Sequence, residues 1–509
     1  MGPGLRRYLY LTAGLTGGAI MIVEILGAKM LSPYLGTSHF VWTAQIAITL
    51  VALACGYYAG GWLVDRSVRV GRMYAAILVA GLYLALTIAL REPVAYNFLQ
   101  LNLALGSLLT SAILFFVPLA LLAMVGPFCI RVMTSSVAGV GGNVGRLSAL
   151  STLGSFIGTV LIGYLLIPYL PNSVTMYATS MVLALVAAIY FAVWGRDRGG
   201  LVPVGLAIFI GAGLGYGGLR ADQWSGGSWT ELFRGNSNFG LLQVLQQKEG
   251  PHRYYLNDYL TQNTYDVNEK KSISMFTYML HGLARAYVAR VDDVLCIGMG
   301  IGVVPMQFAQ DGSKVDLVEI NPAVVPVAQQ YFNFEPAKVN LIIADGRYYL
   351  NRTPKQYDAV VVDAFLGDSC PSHLMTREAF RAMRRVLKPE GVLVINTFAE
   401  VEGPRDFFGA SLYCTLTNVF TSVKIHAGRN GNTLFVASAK SPLAFANAPD
   451  FKDVYAGCLG LVQDAFKNLR EPDAAHGMVL TDDYNPVEVR DAANREVLRR
   501  NLALSARDR

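Results

Sequence analysis

Gly298, Gly300 and Gly302 fall inside the run VLCIGMGIGVVPMQFAQDGSKVDLVE at 294–319, after a short apolar stretch of strand character and before one of helical spacing, and Glu319 closes the strand that follows. Glycines at a strand-to-helix turn let backbone approach a ligand closely and reverse tightly, which a Cβ resists. An acid about 20 residues further on, ending the next strand, is placed to accept hydrogen bonds from ribose hydroxyls. The chemistry is nucleoside binding. The bland counterpart is a tight turn in any α/β protein, and the strand before, the helix after and the acid at its distance together favour the nucleoside. Pro305 does not break the helix, because a proline in the first turn gives up an N–H that has no intrahelical partner.

These residues need a sheet to hold them. Past Glu319 the alternation continues: 339–344 reads as a short strand ending in Asp345-Gly346, and 358–362 as another ending in Asp363. A helix over 376–387, closed by Lys388-Pro389-Glu390-Gly391, feeds a strand at 392–396. Glu319, Asp345 and Asp363 thus sit at the carboxyl ends of parallel strands, the edge at which open α/β sheets bind ligands. Ahead of this core, NFGLLQVLQQ and RYYLNDYLTQNTYD alternate around Glu249-Gly250-Pro251 and predict a β-hairpin. Met275, Tyr278, Met279 and Leu283 then share one face of a predicted helix over 272–288.

The first half is of another kind. Of the 509 residues 53% are hydrophobic and only 15% charged, unlike an ordinary soluble enzyme. The excess lies in nearly uncharged runs at 8–31, 40–64, 73–90, 103–130, 147–168, 173–194 and 201–219, each close to or above the roughly 20 residues that cross a hydrocarbon core as a helix. The fold class read here is a membrane α-helical bundle of about seven spans (1–219), a small β-rich connecting unit (220–290) and a Rossmann-like α/β domain (291–509). Arginines fall at the N-terminus and in every second loop, which puts that side in the cytoplasm. An odd number of spans then leaves the C-terminal domain outside, unless 201–219 does not fully span or 94–133 hides a re-entrant turn. Glu24 lies within the first run, where an ionisable group is costly and reads either as functional or as paired near Lys29 or a tyrosine. Gly56, Gly60 and Gly61, and Gly154, Gly158 and Gly163, have spacings that suit close helix packing. The six cysteines show no CxxC or Cys/His spacing, so no metal is expected. The net charge of +6 clusters beside the apolar runs and gives little support to a nucleic-acid partner.

With these motifs in view, the chain resembles the spermidine synthase family of polyamine aminopropyltransferases, and more closely the bacterial type fused to a multispan membrane domain. On the membrane side the resemblance rests on the Glu24 helix, GYYAGGWLVDR ending at Arg66, Gly126-Pro127 before Arg131, and STLGSFIGTVLIGYLLIP. On the other it rests on the hairpin unit, the glycine turn, Asp345-Gly346, YDAVVVDAFLGDSCPSHLMTREAF and LTDDYNPVE at 480–488. It implies a multi-pass protein of the bacterial inner membrane, lipid around its first domain, and a homodimer. It also implies an S-adenosyl co-substrate with Gly298, Gly300, Gly302 and Gly346 against it, Glu319 on the ribose, Asp345 on the adenine amino group and Gln262, from DYLTQ, nearby. Asp363 and Asp368 are implied as catalytic acids, and Asp258, Tyr278, Asp482 and Asp483 as groups facing an amine or polyamine substrate. A sulfonium is already an activated electrophile, so such a site must orient it, deprotonate an amine with a carboxylate and hold the charges.

The departures are specific. The family's glycine turn carries an acid where Ile301 stands, its His-Glu pair becomes Met279-Leu280, and the second acid of its Asp-x-x-Asp motif falls at Leu366, with Asp368 the nearest substitute. Three readings therefore stay open: aminopropyl transfer from decarboxylated S-adenosylmethionine, methyl transfer from S-adenosylmethionine itself, and a transporter or sensor whose second domain binds a polyamine or nucleoside without turnover. Tyr348 and Tyr349 read as packing residues. His373 reads as a polar loop residue, and Asp482 and Asp483 either as groups that close over an acceptor or as part of a turn opening at Asn485-Pro486.

Overall fold

In the computed structural model the chain forms two units, Met1–Trp224 and Ser225–Arg509. All residues are described except 1, 37, 135–138, 196–200, 222–226, 366–369, 429–430 and 508–509.

The apolar runs of the first unit are helices. Among the described residues six are long and apolar enough to cross a bilayer: α1 (Pro3–Leu35), α2 (His39–Arg66), α3 (Val70–Phe98), α4 (Leu103–Met133), α5 (Val140–Tyr169) and α6 (Asn172–Val193). The seventh run is helical over Leu201–Ala221, with a shorter apolar part, Val204–Arg220. Residues 103–133 run on as one helical stretch with a π-helical turn at Ala112–Phe116. Backbone contact joins α1 to α5: a Cβ on Gly154 would lie 1.9 Å from the Gly14 carbonyl oxygen, and one on Gly158 2.5 Å from that of Gly18. Ser155 Oγ donates to Gly17 O across the same crossing at 3.1 Å. Gly56 and Gly60 likewise press α2 onto Ala120 and Met124 of α4, at 2.2 and 2.8 Å. Gly61 and Gly163 do not pack in this way, since a Cβ on either would meet nothing within 4 Å. Glu24 is partly buried on α1.

The second unit holds two sheets. Strands β1 (Trp229–Ser237), β2 (Gly240–Gln247), β3 (His252–Asn257), β4 (Leu260–Asp266) and β5 (Lys271–Ser272) form an antiparallel meander. The expected hairpin is β2 against β3. Helix α8 (Met275–Tyr287) leads into β6 (Asp293–Ile297), α9 (Val303–Gln310), β7 (Lys314–Glu319), α10 (Val324–Phe332), β8 (Asn340–Ile343), α11 (Gly346–Arg352) and β9 (Tyr357–Val362). Then come α12 (Arg377–Arg385), β10 (Leu387–Thr397), α13 (Phe407–Thr417), β11 (Ser422–Ala427), β12 (Thr433–Ser438) and β13 (Leu469–Arg470). The helix expected over 376–387 stops at Arg385, and Lys388-Pro389 already belongs to β10.

The larger sheet runs β13-β11-β12-β10-β9-β6-β7-β8. Strands β10, β9, β6, β7 and β8 are mutually parallel, and β12 is antiparallel to β10. This is a Rossmann-like fold with a mixed sheet, and the strand order reverses between β6 and β9, where such sheets open a ligand crevice. Alternation along the strands divides the core. Val294, Cys296, Leu317, Val361 and Val394 pack with Met279 and Leu283 of α8, whereas Leu295, Ile297, Val318, Val362 and Ile395 pack with Phe380 of α12 and Leu412 of α13.

A buried imidazole ties β11 to α8. His426 Nδ1 faces Ala465 O at 3.2 Å and Nε2 faces the Tyr287 hydroxyl at 2.9 Å. With Nδ1–H donated to the carbonyl, Nε2 accepts from the phenol and the ring is neutral. Burial pushes its pKa from the ordinary 6.5 down to about 4.

Two outcomes follow from this architecture. Gly154→Leu should separate α1 from α5 and sharply reduce the yield of monodisperse protein on size exclusion, whereas Gly163→Leu should leave it unchanged. Because the folded imidazole has the lower pKa, its contribution is intact above the unfolded value and is lost as pH falls from about 6.5 towards 4, by on the order of 3 kcal/mol. The Tm of the chain in detergent should fall across that window, and His426→Gln should flatten the fall.

Candidate active site

All three glycines of the turn have left-handed backbone, with φ of +91° at Gly298, +52° at Gly300 and +85° at Gly302. The requirement is also steric. A Cβ on Gly298 would stand 2.2 Å from the Asp363 carbonyl oxygen, and one on Gly302 2.4 Å from the Phe334 ring. The first contact is the switch point itself, with the end of β6 lying directly against the end of β9.

Glu319 fixes this turn. Its Oε2 accepts from Met299 N–H at 2.9 Å and its Oε1 from Asn321 N–H at 2.7 Å. Burial raises its pKa, opposed by these backbone donors. Each oxygen keeps a further acceptor site. Asn321 also reaches the meander, donating from Nδ2 to Ser237 Oγ at 3.0 Å. Tyr255 of β3 is buried near Glu319 and Asp258, and burial first, then those charges, raise its pKa.

Asp363 follows β9 and is partly enclosed. Its Oδ1 accepts from Asn396 Nδ2 at 3.0 Å, and Asn396 Oδ1 accepts in turn from Asn432 Nδ2 at 3.0 Å. Both amides are buried on neighbouring strands or their ends, so the second bond fixes which end of Asn396 faces the carboxylate. Desolvation lifts the Asp363 pKa from 3.8 to about 6, with the Asn396 bond opposing the rise. A carboxylate poised there is suited to take a proton near neutrality.

Further along the same edge, Asp345 caps α11, accepting from Tyr348 N–H at 2.9 Å, and its Oδ2 lies 3.0 Å from His373 Nε2. A Cβ on Gly346 would stand 2.5 Å from Ile297 Cγ2. Arg347 donates to the His373 carbonyl at 2.8 Å and to Asp482 Oδ2 at 2.8 Å, and Thr376 Oγ1 donates to Asp482 Oδ1 at 2.6 Å. Against the opposing pull of burial, these partners hold the Asp482 carboxyl below its ordinary range. Asp483 is exposed, beside a turn in which Thr481 N–H donates to Tyr484 O.

The remaining expected residues are dispersed. Asp258 is a left-handed residue of the β3–β4 turn whose carboxylate accepts from Leu241 N–H at 2.9 Å. Gln262 is the extra residue of a bulge in β4. The Tyr278 hydroxyl donates to Ser272 O at 2.6 Å, and Asp368 lies outside the described residues. Tyr349 is a packing residue that also donates to the buried Asp316, but Tyr348 is 56% exposed, beside Arg352. Sequence reasoning missed Asn396, Asn432 and Asn263. For Asn396 the signal was an uncharged polar residue near the end of an apolar strand, and it acquires meaning only when the strands are paired; Asn432 precedes β12 and Asn263 stands among polar neighbours in β4, so neither gave such a signal.

Residues 274–403 match the model of the spermine/spermidine synthase domain. The second unit carries a spermine/spermidine synthase domain. A polyamine aminopropyltransferase of Vibrio vulnificus is 40% identical over 112 residues, 21% of this chain and 38% of the relative. An N-terminal histidine N-methyltransferase of Emericella nidulans is 35% identical over 146 residues, 28% of this chain and 24% of the relative. The chain thus spans well under half the length of either. Among solved structures, a probable spermidine synthase from Corynebacterium glutamicum is 16% identical, with a TM-score of 0.39 over 51% of this chain and 97% of that one. Asn396→Leu in this synthase domain removes the bond that favours the Asp363 carboxylate. Its titration should move up by about one pH unit, read by infrared difference spectra with Asp363→Asn as the blank, and Asn432→Leu should move it less in the same direction.

Proposed function

We propose that the second unit is an S-adenosyl-type transferase that moves an aminopropyl group from decarboxylated S-adenosylmethionine to an amine or polyamine, with Asp363 as the group that takes the amine's proton. The observation that carries this reading is a carboxyl group at the switch point, oriented by Asn396, uncharged by any cationic partner among the described residues, and lifted to a pKa of about 6. The match of 274–403 to the synthase domain supports it.

The residues present suit such a co-substrate. The glycine turn is a cradle that side chains would fill, Glu319 keeps free lone pairs at the strand end, and Asp345 stands one strand further along. The co-substrate supplies a sulfonium carbon as electrophile. The chain's part is to orient it along Gly298–Gly302, to exclude water around Asp363 and to receive one proton on the Asp363 carboxylate. Asp363 is competent when ionised, so turnover should rise with pH through about 6.

Methyl transfer is the second reading, and one observation favours it. Ile301 is 1% exposed and packs in the core with Val304 and Phe308, so the turn carries no acid to meet an aminopropyl ammonium. As to location, the six long apolar helices support a multi-pass protein embedded in the bacterial inner membrane.

Mass spectrometry of the nucleoside product separates the readings. The purified chain is given S-adenosylmethionine or its decarboxylated form with a panel of diamines and polyamines. Methylthioadenosine that depends on amine and drops by about a thousandfold in Asp363→Asn is the expected result. S-adenosylhomocysteine instead would make the domain a methyltransferase, and neither product with nucleoside still bound would favour transport or sensing.

A further inference from the structure

Gln45 of α2 is fully buried, and neither end of its carboxamide has a hydrogen-bond partner. It rests where three helices meet: a Cβ on Gly27 of α1 would be 2.7 Å from Gln45 Nε2 and 3.1 Å from Phe115 Cε2 of α4. A buried polar group left unbonded costs free energy, and folded proteins keep few of them. On α4 the hydroxyls of Ser107, Thr110 and Ser111 are buried and orphaned as well. A helical hydroxyl ordinarily turns back to a carbonyl of the preceding turn, as Thr12, Thr16, Thr49, Thr87 and Thr179 do in this unit. These three do not.

Helix register brings these groups to one level. Gly56 meets Ala120 and Gly60 meets Met124, so α2 and α4 run in the same direction. Carried back about three turns, that register sets Gln45 beside Leu109, among the three hydroxyls, and α2 does contact Leu103–Ser111. The seam therefore differs at its two ends. At Gly56 and Gly60 backbone presses on backbone, whereas towards the helix starts polar groups are sealed without partners. Among the described residues of this unit, the other orphaned side-chain atoms, Tyr10 Oη apart, lie where α2 and α6 begin, at Ser38, Asn172 and Thr175. The π-helical turn Ala112–Phe116 follows Ser111 directly. Such turns are rare and recur at functional sites.

We propose that α2 and α4 part at this end about the glycine contact, exposing Gln45, Ser107, Thr110 and Ser111, and that the structure is the closed state of this seam. The four lining groups are uncharged donors and acceptors, so the opened seam suits water and small uncharged hydrogen-bonding solutes. Opening gives these groups the partners that closure denies them, and closure keeps the apolar packing around them. Two states of similar free energy are the consequence. The proposal concerns the first unit alone and does not depend on the transferase reading of the second.

The test is thiol accessibility in the intact chain in detergent, with N-ethylmaleimide as the probe and mass spectrometry of peptides to place the label. Cys129, fully buried on α4 beyond the glycine contact, is the internal reference. Ser107→Cys and Ser111→Cys should each label at least about tenfold faster than Cys129, because a local opening reaches them and not it. Gln45→Leu removes an orphaned group and so favours the closed state: it should raise the Tm and slow the labelling of Ser111→Cys by about tenfold. Ser107→Cys carries the reading if the Ser111 variant folds poorly. Labelling of both cysteines no faster than that of Cys129 would overturn the proposal, and so would a Gln45→Leu variant with a lower Tm and labelling that is unchanged or faster.

Discussion

One carboxylate organises the crevice. Glu319 ends β7 but is bonded to the turn that follows β6, through Met299 N–H, and to Asn321, whose side chain bonds the meander at Ser237. Three parts of the unit, two adjacent parallel strands and the small sheet, are thereby referred to one pair of oxygens. A left-handed glycine turn is intrinsically loose, because glycine has the most conformational freedom to lose. An acceptor that takes an N–H from inside the turn supplies the order that the sequence type withholds. Glu319 is buried with its backbone donors directed at it, so the bond forms in a medium where charge-assisted hydrogen bonds are strong.

Asp363 illustrates the opposite use of burial. Asp482 has Arg347 and Thr376, and Asp316 has Lys355 with Tyr357 and Asn340, and both carboxyls are held low. Asp363 faces an amide instead. A cation there would lock the carboxylate in its charged form and weaken it as a base. An amide orients the group and stabilises the anion only in part, so desolvation prevails and the pKa settles at about 6. Basicity at this position thus comes from what the strands on either side, β10 and β6, leave out.

The sequence exposed these features unevenly. The glycine turn, Glu319, Asp345 and Asp363 were legible because strand-turn-helix periodicity fixes which residues fall at the carboxyl edge, and that edge survives errors of two residues in element ends. The helix that stops at Arg385 rather than 387 changed nothing there. The helical runs were legible by length, while the partners of Gly154 and Gly158 on α1 were not, since a crossing depends on which face of each helix meets the other. Asn396, Asn432 and Asn263 were hidden for the same reason. Their roles depend on strand neighbours 33 or more positions away, as between Asp363 and Asn396, and no local period encodes those. Tyr348 was misread because helix spacing placed it in a turn of α11 whose outer side faces solvent.

The neutral character of the glycine-turn surroundings and the pKa of Asp363 belong to one electrostatic problem. Glu319 and Asp363 already bring two acids to the strand ends on either side of β6, both with pKa values raised by burial. A third carboxylate on the turn, at residue 301, would add like-charge repulsion in a poorly solvated crevice and drive the Asp363 pKa further up. The base would then be protonated at neutral pH until a cationic ligand arrived. With Ile301 packed into the core, that repulsion is absent. Asp363 can ionise before the ligand binds. The ionisation of this carboxyl then does not depend on the ligand's charge.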